Sequence, residues 1–225
     1  MIEPPATVTI AVIGGTGKEG KGLAYRWSRA GYRVIVGSRS ADRAAATALE
    51  IDGMLEGKSG TTGTSNQEAA SQANVIALTV PYAAHRETLE SIREVLAGKL
   101  LIDATVPLVP GQVSKAHMPA AGSAAQEARE ILGAGFEIAA AFHNISYEHL
   151  LRDGNVDCDV LVTGTSKESR DLALRLVGAA GLSGWDAGAL ENSAVTEGLA
   201  SVLIHMNKRY GSKHAGIRIT GIEEQ

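Results

Sequence analysis

Cysteine is nearly absent from this chain of 225 residues, and the sole thiol is Cys158. One cysteine cannot build an internal disulfide framework or a cysteine-based metal cluster, and such usage points to a reducing compartment. It lies in "NVDCDVLVTG", between Asp157 and Asp159, whose carboxylates raise a thiol pKa rather than lower it, so Cys158 reads as structural. Excess positive charge is lacking as well. With 21 Lys and Arg against 25 Asp and Glu the net charge is −4, which argues against nucleic-acid binding through a general basic field. No apolar run approaches the length of a membrane span, so no membrane partner is expected. The opening "MIEPPATV" has no basic segment followed by an apolar core, and a cytosolic, cytoplasmic protein is expected. The six histidines show no metal-ligand spacing, so no metal is expected.

Glycine, by contrast, is concentrated. Five glycines fall between Gly14 and Gly22, between the apolar run "TVTIAVI" of residues 7–13 and a helical pattern from Lys18 to Ala30. Beyond it, "YRVIVGSR", "NVIALTVP", "KLLIDATVP" and "FEIAAAF" read as further strands. They alternate with the helical patterns "SADRAAATALEIDGML", "QEAASQA", "AAHRETLESIREVLAG" and "SAAQEAREILGA". Such alternation, with strands that read as continuous apolar runs, is the pattern of an α/β doubly wound parallel sheet covered on both faces. After about residue 145 the rhythm weakens. "CDVLVTG" reads as a strand, "SKESRDLALRLVGAAG" as a helix and "LSGWDAG" as an edge strand. "ENSAVTEGLASVLIHMNKRYG" reads as a long helix and "AGIRITG" as a last strand. Two parts are expected, a nucleotide-binding domain over 1–145 and a smaller C-terminal α/β domain over 146–225.

Gly15, Gly17 and Gly20 fit G-x-G-x-x-G directly after a strand and at the opening of a helix, the context that gives this pattern meaning. Gly15 is expected to allow the tight turn, Gly17 to let a pyrophosphate approach the backbone, and Gly20 to let the helix pack on the strand. The first-turn amides and the helix dipole then face the anion, with Thr16 adding a hydroxyl and Lys18 or Lys21 adding charge. A Walker A reading fails for want of G-K-[ST] at the required spacing. The second strand ends Gly37-Ser38-Arg39, with Arg43 a helical turn on, where an NAD-selective protein places an acid. A hydroxyl and two guanidiniums suit a 2′-phosphate, so the dinucleotide is read as NADP(H).

Acid–base machinery is the other absence. None of the tyrosines stands in Tyr-x-x-x-Lys spacing. His143, in "AAAFHNISYEHL", is the histidine nearest the expected nicotinamide position, with the alternative that it orients a loop. A dinucleotide site without an acid–base pair suits hydride exchange between two ring cofactors that bring their own electronics.

Together "GGTGKEGKGLAYR", "VIVGSR", "LTVPY", "FHNI", "DAGALENS" and "NKRYGSKHAGIRITG" resemble the F420H2:NADP oxidoreductases. The resemblance implies a Rossmann fold with a small C-terminal domain. It also implies hydride exchange between NADP(H) and the 8-hydroxy-5-deazaflavin coenzyme F420, and a homodimer. By position it implies a pyrophosphate loop of Thr16, Gly17, Lys18 and Glu19, and a 2′-phosphate site of Ser38, Arg39 and Arg43. Thr79, Val80, Pro81 and Val106 would line the NADP path, with Ile145, Tyr147 and Ala215 near the two rings. At 146–147 this chain has "SY" where some members have "PA". Two rival readings are another NADPH-dependent reductase of related fold, such as an imine reductase, and a non-catalytic NADPH sensor. The C-terminal helix offers a dimer contact, although its Val195, Leu199, Val202, Leu203 and Met206 read by default as ordinary core.

Overall fold

The computed structural model describes residues 8–151, 154 and 156–222. Residues 1–7, with the N-terminal signal-peptide reading and the first residue of the expected first strand, lie outside the described residues. The elements in chain order are β1 (Thr9–Ile13), α1 (Lys18–Arg29), β2 (Arg33–Ser38), α2 (Ala41–Met54), β3 (Thr62–Ser65), α3 (Asn66–Gln72) and β4 (Val75–Leu78). They continue with α4 (His85–Ile92), β5 (Leu100–Asp103), α5 (Ala124–Leu132), β6 (Glu137–Ala140), α6 (Tyr147–Leu150), β7 (Asp159–Gly164), α7 (Lys167–Ala179), β8 (Ser183–Ala189) and α8 (Ser193–Tyr210).

One eight-stranded sheet runs in the order β3-β2-β1-β4-β5-β6-β7-β8. Every pairing is parallel except β6 with β7. The order reverses between β1 and β4, and the crevice beyond the carboxyl ends of those strands is where such sheets bind ligands. β1 is buried along its whole length, as are β4 and β5, which is why these strands carry no polar alternation. One face of the sheet packs against α1, α2 and α7, through Leu23, Trp27, Ile51 and Leu176. The other packs against α3, α4 and α5, through Ala69, Leu89, Ile92 and Leu132. Trp27 shows how tightly the first layer is tied. Its ring meets Phe142 edge-on at 5.8 Å and its indole N–H donates to the Leu176 carbonyl at 2.8 Å. Truncating such an aromatic costs roughly 3–5 kcal/mol.

The chain after residue 145 continues this sheet, with β7 and β8 on its far edge. The expected strand over "AGIRITG" does not form. The segment runs irregularly beside β7, where the Asp159 amide donates to the Ile217 carbonyl at 2.8 Å. The next rung is taken by a side chain, because the Ile219 amide donates to the Asp159 carboxylate at 2.7 Å. A carboxylate thus replaces the ladder. Gly216 lies so close that a Cβ there would meet the Cys158 sulfur at 2.5 Å. Cys158 is buried, and burial first, with its acidic neighbours adding, raises its thiol pKa.

The largest departure is in α8. Val195, Val202 and Met206 are 69, 51 and 40 % exposed, and of the five apolar residues only Leu203 is fully buried. The face that α8 buries is instead polar or small: Ser193, Thr196, Glu197, Ala200 and Ser201. The default assignment of the apolar stripe to the core is therefore wrong. The buried polar face packs on α5 and on the loop before it, where polar partners are available.

Candidate functional site

The glycine loop joins β1 to α1 at the switch point. The left-handed residue of the turn is Gly14, at φ +78°, rather than Gly15. Gly15 is needed for close approach, since a Cβ there would lie 2.7 Å from the Val12 carbonyl. Gly20 seats α1 on the loop, where a Cβ would come within 2.4 Å of the Thr79 hydroxyl and 2.8 Å of Gly15 Cα. Gly17 is different. It is the N-cap of α1 and has no side-chain cap, and a Cβ would meet only the Gly14 carbonyl, at 3.3 Å. That leaves the first-turn end of the helix open to an anion.

A cavity of about 550 Å³ opens in front of this loop. It brings together Thr16, Gly17, Lys18, Glu19, Ser38, Arg39, Arg43, Thr79, Val80, Pro81 and Val106 from β1, β2, β4, β5 and the connections after them. Gly15 and Gly20 stand behind it as packing residues. Thr79 fixes its floor by donating both its amide and its hydroxyl to the Ile13 carbonyl, each at 2.9 Å. Lys21 does not face the cavity and pairs with Glu50 of α2 instead.

The charges in the cavity are uneven. Arg39 and Arg43 are exposed, and neither has an ion-pair partner among the described residues. Ser38 is buried, and its hydroxyl accepts the Ser40 amide at 3.3 Å. Glu19 is the one acid of the lining. Burial pushes its carboxyl up to about 8, so it is neutral at physiological pH and can donate rather than repel. Its Oε1, and Oδ1 of the neighbouring lining residue Asn66, are buried without hydrogen-bond partners. Orphaned buried polar atoms are costly, and two in one cavity suit a polar ligand that supplies their partners. The open helix end, unpaired guanidiniums and orphaned atoms all fit NADP(H).

Behind the cavity, at the carboxyl end of β5, lies a polar cluster that motif reading misses. Asp103 and His85 are fully buried and 2.7 Å apart. Burial pushes the Asp103 carboxyl up, but the His85 charge and hydrogen bonds from His85 and Thr105 outweigh it and hold it below its usual value. Burial likewise lowers His85, yet the Asp103 charge and hydrogen bond prevail and raise it. Glu197 of α8 is buried nearby, and its carboxyl accepts the Ala124 and Ala125 amides at 2.7 and 3.1 Å, at the start of α5. Its pKa reaches about 8, raised by burial and then by the Asp103 charge, against the opposing amide bonds.

His143 is buried and its Nε2 is 3.1 Å from the Asp103 carbonyl. Burial lowers its pKa to about 4, so the ring is neutral and its Nε2–H donates to that carbonyl. A histidine so committed orients the β6–β7 connection and is a poor proton source. Phe142 before it has φ +71°, rare for a bulky residue and associated with functional sites. Asn144 ties the same turn to β7 by donating to the Asp159 carbonyl at 2.7 Å. Ile145 is buried in the core layer with Leu150. Tyr147 lines a second cavity, and its hydroxyl accepts from Lys18 of the glycine loop at 3.1 Å. The half-buried Ala215 donates its amide to the Asn207 side chain at 2.9 Å. Arg26, another residue that motif reading misses, clamps α6 to α1 by donating to the His149 and Leu150 carbonyls at 2.7 and 2.8 Å. Among the described residues no group of three or more His, Cys, Asp and Glu could hold a metal ion.

A doubly wound sheet with an uncapped glycine loop at its switch point and a cationic cavity beyond β2 defines a dinucleotide-binding protein of the Rossmann class. Residues 9–107 match the family of coenzyme F420-dependent NADP oxidoreductases. The chain is 42% identical over 222 residues to the F420-dependent NADP reductase of Methanothermobacter marburgensis, covering 96% of this chain and 99% of the relative. It is 32% identical to that of Methanocaldococcus jannaschii, over 95% of this chain and 99% of that relative. A solved structure from Arthrobacter sp. FB24, provisionally described as an F420-dependent NADP-reductase, superposes with a TM-score of 0.79 at 20% identity. It covers 95% of this chain and 99% of that one. The chain belongs to the F420-dependent NADP reductase family and is an oxidoreductase.

Proposed function

We propose that this protein transfers hydride reversibly between NADP(H) and the 8-hydroxy-5-deazaflavin coenzyme F420. The observation that carries the reading is the combination of whole-length family membership with a cavity whose lining includes Ser38, Arg39 and Arg43 and, as its one acid, Glu19 of the glycine loop. When bound, the two ring systems supply the redox chemistry, a hydride moving between them with one proton taken up on reduction of the deazaflavin. The protein's own residues bind and orient. Thr16, Gly17, Lys18 and the start of α1 would hold the pyrophosphate, with protonated Glu19 as a further donor. Ser38, Arg39 and Arg43 would hold the 2′-phosphate, while Val80, Pro81 and Val106 form an apolar path that excludes water toward the nicotinamide. His143 keeps the turn at the end of β6 in place. Residues 1–145 then form the NADP-binding part, and 146–225 complete the deazaflavin side through Ile145, at the boundary, Tyr147 and Ala215.

The exposed stripe of α8 supports a homodimer, because an isolated chain otherwise shows a row of apolar side chains to water. A cytosolic setting is supported by the single buried thiol, and no helix among the described residues is long and apolar enough to cross a membrane. The test is bleaching of oxidised coenzyme F420 by NADPH, followed by its absorbance. NADPH should bleach it far faster than NADH, and Arg39→Ala should weaken NADPH by tenfold or more, roughly the worth of a charged hydrogen bond, while sparing NADH. No bleaching despite demonstrated NADPH binding overturns the assignment.

A further inference from the structure

A second cavity, of about 390 Å³, lies between the start of α6 and the end of α8. Its walls include Tyr147, Glu148, Asn207, Lys208, Ser212 and Lys213. The two cavities meet at one contact. Lys18 of the glycine loop, which lines the first, donates to the hydroxyl of Tyr147, which lines the second, and sits 4.6 Å over its ring. The neighbouring cavity is thus placed for whatever reacts with the dinucleotide.

Two lysines against one acid leave its walls with a net positive charge. Lys208 donates to the Ser114 hydroxyl at 2.9 Å, a neutral partner that leaves its charge uncompensated. Lys213 has no ion-pair partner among the described residues. The one acid of the lining, Glu148, faces His214 at 3.8 Å. In a chain of net charge −4 such a pair of lysines is a local reversal. The backbone is arranged to produce it. α8 stops at Gly211 in the left-handed conformation, φ +65°, and the chain turns back. The Ser212 amide donates to the Asn207 carbonyl at 3.0 Å and the Ala215 amide to the Asn207 side chain, which brings Ser212 and Lys213 to the cavity. A carbonyl of the last helical turn, which would repel an anion, is thereby occupied.

We propose that this cavity binds an anionic group of the second substrate, remote from its reacting ring, and that Lys208 and Lys213 are its anion-binding residues. The assignment rests on the reductase reading, since coenzyme F420 carries both a phosphodiester and carboxylates on the side chain of its deazaflavin. Either could supply the charge, and the ring would then lie toward Tyr147 and the dinucleotide.

The test compares three substrates with NADPH: the full coenzyme, the phosphorylated deazaflavin without glutamates, and 8-hydroxy-5-deazariboflavin, whose side chain is neutral. Lys213→Glu should raise the KM of the full coenzyme about tenfold and leave the KM of the deazariboflavin and of NADPH in place. Lys208→Gln, which can still bond Ser114, should raise it roughly threefold, so that loss of charge is separated from loosening of the loop. Raising salt from about 0.05 to about 0.5 M should weaken only the substrates with anionic side chains. A KM effect already present with the phosphorylated form assigns the phosphate, and one confined to the full coenzyme assigns the carboxylates. Equal changes for all three substrates, or none, overturn the site while leaving the reductase reading intact. If the unaltered protein reduces none of the three, that reading fails and the site falls with it.

Discussion

At the scale of single residues, Glu19 is an acid in the first turn of α1, where phosphate oxygens are expected. Its neighbours explain how it is tolerated. Burial raises the carboxyl to about 8, so at neutral pH it carries a proton and its O–H can donate. The sign follows directly. The proton is held below that value and lost as pH rises through it, placing a negative charge beside the pyrophosphate. Affinity for NADPH should therefore be flat up to about pH 7 and fall by about tenfold above pH 8, the worth of some 1.4 kcal/mol of repulsion. Glu19→Gln, neutral at every pH, should bind like the parent at pH 7 and lose that decline. Titration of both proteins by fluorescence or calorimetry checks it, and matching pH profiles would refute a role for Glu19. Ser38 and Arg39 were legible because they stand at the end of the second strand, whereas Glu19 entered only through the family resemblance. Spacing gave no sign of Asp103, His85 and Glu197, which come from three separated elements and acquire meaning only through shared burial.

At the scale of elements, the strands of the nucleotide-binding half were legible because a parallel strand covered on both faces must be apolar throughout. "AGIRITG" has a similar pattern and misled, since nothing local reveals that the Asp159 side chain takes the next rung. α8 misled for a deeper reason. A helical stripe is read as facing its own core, whereas this helix buries Glu197 at the start of α5 and turns its apolar side outward. The buried carboxyl makes the α5–α8 junction sensitive to pH. Its folded-state value of about 8 exceeds that of an unfolded glutamate, so the folded protein holds the proton more tightly. The stabilisation is complete below about pH 4.5 and is lost as pH rises through about 8, by several kcal/mol at most, at about 1.4 kcal/mol per unit. His85, also raised, loses stabilisation in the same direction above its unfolded value of about 6.5, and Glu19, raised to about 8, does so over the same range as Glu197, so the three must be separated by variant. Glu197→Gln keeps an acceptor for one α5 amide and cannot titrate. Its thermal midpoint should fall less than the parent's between pH 5 and 9, and parallel curves would show that Glu197 stays ionised throughout.

At the scale of the whole molecule, the doubly wound sheet explains the position of one cavity, and α8 joins the remaining parts. Its buried face holds the start of α5 through Glu197 and the preceding loop through Ser201, which donates to the Lys115 carbonyl at 3.2 Å. Its last turn supplies Lys208 to the second cavity. Its outer face presents Val195, Val202 and Met206, spaced by seven and then four residues, with Tyr210 a further turn on and 75 % exposed. Residues so spaced share one side of a helix and form the stripe that a second helix covers. A polar inward face and an apolar outward one are the reverse of what a monomer needs, and a symmetric pairing of two copies would bury both stripes at once. Such pairing would also couple the second cavity to dimer formation, because Lys208 and Met206 stand on the same two turns. Val202→Glu places a charge in the middle of the stripe, exposed in the single chain and buried in the pair. It should convert a dimer to a monomer in sedimentation while leaving the helical content unchanged, because Val202 makes little of the chain's own core. An unaltered sedimentation coefficient would move the contact elsewhere on the surface, and a monomeric parent protein would remove it altogether.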